Sequence, residues 1–442
     1  MRVNDAPTSM PETSLLVGGC QVVVTPPIGT TMAGYIQRTE PARGIADDLI
    51  LQALVLRYGE DTLVLVSLDA LYVDAAFARS LATDLNLSED RVIVVATHTH
   101  SGPRLDCDDK DGAAKEPNSV RDWWLRQAIG VVQRATRRAR PAIVTMGSIM
   151  VEGVSGNRND PTIQIDRELI AVGLRDAGTQ ALLAALVNFA CHPTVLGADN
   201  LLFSPDFVGS LRRVLNHVSG SHDAVPESPI ILFLNGAAGN VSTRFFRREQ
   251  TSAEAERIGT LIGNAARAAL ANAVVLSGNL SPTTARVVIP LARRVLPDAV
   301  ASATAIAIAD AAYQEALREQ ALPAALRILR TRYEGAILQE RQRATDQGEA
   351  EIAVSVTGWR LGALALVALP GELFSSLGQK IKRALISSTT LVVGYGNGNV
   401  GYIPDAAAYQ ADTYEVLSTR FAFGAGERLS DRVIQFLQED LR

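Results

Sequence analysis

The sequence predicts an α/β protein, with α+β mixed sheets and flanking helices, built as one large domain over residues 1–442. Three observations predict it. Short apolar runs bounded by turn residues alternate with segments of helical periodicity, polar motifs recur just past the ends of those runs, and no internal repeat or low-complexity linker divides the chain. A hydrophobic content of 47% with 20% charged residues is that of an ordinary globular chain with enough apolar surface for a sizeable core.

The elements follow in order. Leu51–Tyr58 and Thr62–Leu68 read as strands across a Gly-Glu-Asp turn, Ala75–Asn86 as a helix and Arg91–Ala96 as a strand. Asn118–Arg138 carries apolar residues at helical spacing; strands follow at Ala142–Met150, Glu168–Asp176 and, past a turn at Gly178, Ala181–Phe189. Ile230–Leu234 reads as a buried strand and Ala253–Asn272 as a long helix. The stretch from 297 to 347, rich in Ala, Leu, Glu and Arg and broken once at Pro323, predicts an inserted helical hairpin without convergent polar residues. Strands return at Glu351–Thr357 and Ala363–Leu369, joined through Gly358-Trp-Arg-Leu-Gly362. Helix Leu373–Ile386, strand Thr390–Gly394, a Gly/Asn-rich loop and helix Glu427–Leu441 complete the chain.

Charge and composition exclude several functions. A formal charge of −5 argues against a nucleic-acid partner, because phosphate binding needs a clustered excess of Lys and Arg. The one basic clump, Arg134 to Arg140, ends a predicted helix, where cations complement the dipole. No stretch reaches the roughly 18 consecutive apolar residues of a membrane span. Met1 to Pro11 is polar and Ser14–Gly18 is too short for a signal-peptide core, so a cytoplasmic location is expected. Cys20, Cys107 and Cys191 form no CxxC pair and suit a reducing compartment. The sequence is compatible with a homo-oligomer.

Familiar catalytic motifs are missing: there is no HExxH, no GxSxG and no P-loop. The glycine-rich Gly394–Gly401 is followed by Pro404 rather than a helix, and reads as a tight loop that lets neighbours approach. Four polar motifs instead follow or close apolar strands: Thr97-His-Thr-His-Ser-Gly-Pro103, Asn188-Phe-Ala-Cys-His-Pro193, Asn235 to Ser242, and Leu369-Pro-Gly-Glu372. Strand ends are where α/β scaffolds present reactive groups, since the sheet fixes the root of each loop. On an extended segment, His98 and His100 at i and i+2 share a face. With His192 and Glu372 they could hold Zn²⁺, whose catalytic sites often use two His and a carboxylate. From the residues alone, a metal site and an ordinary polar loop stand as alternatives. His217 and His222 read as surface residues, and Ser242 as a turn hydroxyl close to backbone N–H groups.

The order of these motifs gives a further signal. With "VTPPIGTTMAGY", "GIADDLILQALVL", "VSLDAL", "GNRNDP", "LLFSPDFVG" and "GYIPDAAAYQADTYE", they make nearly the whole chain resemble the N-terminal catalytic domain of the neutral/alkaline non-lysosomal ceramidases, a family of zinc amidases. The resemblance implies that catalytic domain without the family's C-terminal immunoglobulin-like domain. It also implies zinc ligands at His98, His192, Glu372 and Tyr402, with His100, Arg158, Ser242 and Tyr414 as catalytic residues. The family's Gly-Asp-Val-Ser-Pro-Asn stands here as Gly239-Asn-Val-Ser-Thr-Arg244, with an amide at Asn240 and a cation at Arg244. Arg244 and the acidic run Asp106–Asp109 favour a substrate more polar than a long-chain lipid.

The expected function is a zinc-dependent hydrolase that cleaves an amide, or an ester or lactone, through metal-activated water, on a small-molecule or lipid-like substrate. Two alternatives stay open: a serine-type amidase with Ser242 as nucleophile, and a non-catalytic metal-binding relative.

Overall fold

Each of the eight longer strands of the larger sheet sends alternate side chains into two different cores. The computed structural model describes residues 14–105, 119–216, 228–345, 348–385 and 388–441. Strands β1 (Leu16–Val23), β2 (Ile50–Tyr58), β3 (Asp61–Leu68), β4 (Val92–Ala96), β5 (Arg140–Met150), β6 (Glu168–Asp176), β7 (Leu182–Phe189) and β8 (Ile230–Asn235) lie in the order β8-β7-β6-β5-β1-β2-β3-β4. A ninth, two-residue strand, Val274–Val275, pairs with β5. β1 and β5 meet only through Leu16↔Pro141 and Val17↔Arg140, so the sheet consists of two halves joined at one corner.

Most pairs are antiparallel, but β3–β4 and β7–β8 are parallel. A parallel pair needs a crossover. Helix α1 (Ala75–Asp84) lies on the first and α3 (Phe207–Asn216) on the second. Helices α1 and α2 (Ser119–Arg137) cover one half of the sheet, with Phe77, Leu81, Trp124 and Val131 packed on Leu51, Val55, Val64 and Val94. Helices α3 and α4 (Ser252–Ala271) cover the other half.

The opposite faces of both halves share an inner core with a second sheet. Leu54, Leu65, Ile93, Ile170, Leu186 and Leu232 from the first meet Trp359, Leu366 and Leu391 from the second. That second sheet has four strands, β9 (Pro282–Ala292), β10 (Glu351–Leu361), β11 (Leu364–Ala368) and β12 (Thr389–Val393), in sequence order, with β11 and β12 parallel across α7 (Ser375–Lys382). Its outer face packs on α7 and the C-terminal helix Ala425–Glu439.

Several elements differ from the sequence-based expectation. β1, β9 and α3 were not expected as regular elements. The segment Gly358–Gly362, expected as a connection, is strand as far as Leu361, because its residues pair with both β9 and β11. The hairpin of α5 (Ala299–Arg318) and α6 (Pro323–Ala344) is inserted between β9 and β10 as expected, with Pro323 as the first residue of α6. It also makes two separate polar contacts with the rest of the molecule. Glu334 of α6 pairs with Gln37, and Gln342 donates to the Ser418 carbonyl of α8 (Tyr414–Ser418) at 2.5 Å. His217, His222, Cys107 and the acidic run Asp106–Asp109 lie outside the described residues. No described helix is long and apolar enough to cross a membrane.

Candidate metal centre

The four polar motifs converge because the strands that carry them end at one place. His98 follows β4. Its N–H donates to the Ala70 carbonyl at 2.9 Å, and the preceding Asp69 is fully buried, accepting from Ile50 N–H at 2.8 Å and from the Arg212 guanidinium at 2.6 Å. His98 has φ +70°, a left-handed conformation costly for a residue other than glycine. The extended i, i+2 argument therefore does not describe this loop, although the His98 and His100 rings still meet edge to face, 4.9 Å apart. His192 follows β7 and is held by its N–H to the Val241 carbonyl at 3.0 Å and by a parallel bridge to Ser242. Glu372 pairs in parallel register with Tyr402, so the two side chains leave one short ribbon on the same side.

Two glycines make the approach close enough. A Cβ on Gly34, whose φ is +110°, would lie 2.7 Å from the His100 side chain, and one on Gly239 would lie 2.3 Å from the Glu372 carbonyl oxygen.

The hydrogen bonds settle the tautomers. His98 Nδ1 lies 2.7 Å from the Leu71 carbonyl, His100 Nδ1 2.9 Å from that of Gly34, and His192 Nδ1 2.7 Å from that of Ala238. A carbonyl only accepts, so each Nδ1 carries a proton, and in the neutral ring each Nε2 presents a lone pair. Those lone pairs face one another, with His98 Nε2 3.1 Å from His192 Nε2 and 3.3 Å from His100 Nε2. Glu372 Oε2 lies 3.1 Å from His192 Nε2 and 3.4 Å from His98 Nε2, yet it is a buried atom with no hydrogen-bond partner.

Converging lone pairs and an orphaned carboxylate oxygen repel unless a cation stands between them. Ligand atoms on a tetrahedral ion with bonds of about 2.0–2.1 Å are separated by about 3.3–3.4 Å, close to the separations here. The residues therefore fit a metal ion. The three imidazoles form the metal-competent His cluster among the described residues, so His100 faces the same point as the two histidines expected as ligands.

Electrostatics favour ligation. Burial, helped by Arg158 and His98, pushes His192 down to about 4, and burial, with His98 and His192, pushes His100 well below the ordinary histidine value; both rings are neutral near pH 7. Burial pushes the Glu372 carboxyl up, and positive charge at the positions of His98 and His192 outweighs it and holds the group well below the usual carboxylate range, so the carboxylate is set to face a cation there.

Arg158 is buried beside the cluster. Its Nε pairs with Glu415, its Nη2 donates to the Gly239 carbonyl at 2.9 Å, and its guanidinium lies 5.3 Å from the centre of the Tyr402 ring. Burial alone would lower Arg158, but Glu415, Tyr402 and Glu372 raise it well above its ordinary value. Burial pushes Tyr402 well up, against the pull of Arg158, and also raises Tyr414, whose ring stands 5.8 Å from that of Tyr402 at 76°. Ser242 is 3% exposed, and its Oγ accepts from the Arg244 N–H at 3.3 Å. Among the described residues no imidazole or carboxylate is bonded to that hydroxyl, so it lacks the adjacent base a nucleophilic serine needs. Asn240 has a structural task, as its Oδ1 accepts from Ser375 N–H at 2.9 Å at the start of α7.

Sequence reasoning missed three contributors. Tyr395 stacks on His98 with ring centres 3.9 Å apart, and its buried hydroxyl is unpartnered; the signal available was the tight Gly394–Gly401 loop. Glu415, next to the expected Tyr414, is the counter-ion of Arg158 and also accepts from Asn159 Nδ2 at 2.9 Å. Arg38 is 8% exposed and donates to the carbonyls of Ala33, His100 and Gly197 at 2.9, 2.7 and 3.1 Å, tying together the loops around His100.

A mixed α/β scaffold with buried imidazoles and a carboxylate gathered at its strand ends defines a protein with a candidate metal centre. Residues 15–256 match the profile described as neutral/alkaline non-lysosomal ceramidase, N-terminal, more than half of the chain, and the protein belongs to this family. That span holds His98, His100, Arg158, His192 and Ser242, whereas Glu372, Tyr402 and Tyr414 lie beyond it. Among solved structures, the neutral ceramidase from Pseudomonas aeruginosa is similar in fold, with a TM-score of 0.74 at 18% identity over 97% of this chain and 75% of that one. A ceramidase complexed with C2 gives the same TM-score and identity over 97% of this chain and 76% of that one. No curated protein matches the sequence.

Proposed function

We propose that the protein is a zinc-dependent amidase that cleaves an N-acyl compound by attack of water on the amide carbonyl. The observation that carries this reading is the orphaned Glu372 Oε2 facing the unprotonated Nε2 atoms of His98 and His192. Membership of the ceramidase family supports amide hydrolysis as the reaction. His98, His192 and Glu372 would hold the ion, with Tyr402 beside Glu372 completing the set. Bound there, zinc would supply a water of lowered pKa and polarise the carbonyl.

The chain's own groups account for the remaining work. His100 is neutral, its ring is fixed by Nδ1–H on the Gly34 carbonyl, and its Nε2 is free to accept the proton that water loses on attack. The same proton then passes to the amine nitrogen as the C–N bond breaks, which leaves a carboxylic acid and an amine. Tyr414 donates to the oxyanion of the tetrahedral species, and the positive field of Arg158 stabilises it further. Ser242 orients the carbonyl. The test is His98→Ala and Glu372→Ala, with metal content and N-acyl amide hydrolysis measured on the same samples. Both should fall together; full activity in metal-free protein would overturn the reading.

A further inference from the structure

The loop after Ser242 is unusually cationic for a site that already carries Arg158. Arg244 and Arg247 are both half-buried and turned inward. Arg244 Nη1 donates to the Arg158 carbonyl at 2.8 Å, and Arg247 donates to the Thr194 carbonyl, two residues past His192. Neither forms an ion pair among the described residues, whereas Arg158 is paired with Glu415. Arg327, half-buried on α6 of the inserted hairpin, is close enough for its charge to bear on both. Burial together with Arg158, Arg327 and Arg247 outweighs the opposing charge of Glu415 and pulls Arg244 down to about 10, as happens where cations outnumber the anions beside them.

We propose that Arg244, Arg247 and Arg327 form a recognition site for an anionic group, a carboxylate or phosphate, carried by the N-acyl substrate. This inference rests on the amidase reading and names the substrate class of the same site. Guanidinium groups match carboxylate and phosphate oxygens in geometry as well as charge. Two of the three are anchored to backbone carbonyls of the loops that carry Arg158 and His192, so an anion bound there is fixed relative to the reacting amide. A membrane surface would be met by exposed cations; these three are half-buried.

The test uses the zinc-loaded full chain and the variants Arg244→Gln, Arg247→Gln and Arg327→Gln. Substrates are N-dodecanoylglycine and N-dodecanoyl phosphoethanolamine, with N-dodecanoylethanolamine as the neutral partner. Wild type should show a KM about tenfold or more lower for the anionic pair, as one or two charge-assisted hydrogen bonds require. Each variant should raise KM for the anionic substrates about tenfold more than for the neutral one, with kcat moving less. Equal KM values in wild type, or equal shifts in the variants, would overturn the proposal.

Binding of octyl phosphate against octyl glucoside reads the same contact without turnover. Arginine-dependent binding of octyl phosphate with no amide cleaved would sink the amidase reading and leave the anion site supported. Inorganic phosphate binding as tightly as octyl phosphate, or arginine-dependent sedimentation with phosphatidylglycerol vesicles without octyl phosphate binding, would reject the substrate assignment.

Discussion

His100 is the residue at which geometry and expected chemistry pull apart. Its Nε2 stands 3.3 Å from that of His98, close enough to share a metal, yet its task in the proposed reaction is to move a proton. His100→Gln separates the two. A proton carrier should leave about one zinc per chain bound and cut kcat by about 10²-fold, the usual worth of general acid–base catalysis; a ligand should take the zinc with it. Zinc content and kcat on one preparation decide. His98, His100, His192 and Glu372 were legible in the sequence because they stand two to four residues past apolar strands, whereas Arg158, Tyr402 and Tyr414 were marked only by the family resemblance. Their supporting partners were not: Glu415 and Arg38 act through contacts 257 and 62 residues away in sequence, on Arg158 and on the His100 carbonyl. No local pattern marks such pairs.

At the scale of elements, the parallel pairs β3–β4 and β7–β8 deliver His98 and His192, while β11 and β12 deliver Glu372 and Tyr395. Those strands were legible as short apolar runs. β9 was not, because one face is exposed and its alternation is weak. The hairpin was legible as helices but not as part of the site, since its links to the site are contacts that exist only in the folded chain. Gly335 of α6 lies against Leu417 of α8, the helix that Tyr414 opens, and an added Cβ would stand 2.7 Å from the Leu417 Cβ. Gly335→Val should therefore displace α8, with kcat/KM falling about tenfold or more while the circular-dichroism spectrum stays native. Unchanged kinetics in a folded Gly335→Val protein would remove α6 from any part in shaping the site. Such a loss corresponds to about 1.4 kcal/mol of transition-state stabilisation, well within the usual cost of overpacking.

For the whole molecule, the candidate ligands come from both sheets, and their close approach spans the inner core that joins them. Leu232 and Leu234 of β8 share that core with Leu366 and Leu391, just before the loops that carry the site. Asn397, two residues past Tyr395, seals the open edge of β4, accepting from Val94 N–H at 2.7 Å and donating to the Val92 carbonyl at 3.0 Å. This closure depends on contacts across some 300 residues of chain, and composition and periodicity contain no trace of it. An ion held by His98, His192 and Glu372 cross-links the sheets, so it should stabilise the native molecule as a ligand that binds only the folded state. At a zinc concentration about 1,000-fold above Kd, that linkage gives about 4 kcal/mol. Spread over an unfolding entropy of about 2.1 cal/mol/K per residue, it should raise Tm by about 4 °C. Differential scanning calorimetry of chelator-treated protein, with and without added zinc, should show that shift in wild type and lose it in Glu372→Ala. A Tm indifferent to zinc in wild type, at concentrations that fill the site by metal analysis, would mean that the unfolded chain binds the ion as tightly as the native molecule, and would overturn a site built by the meeting of the two sheets.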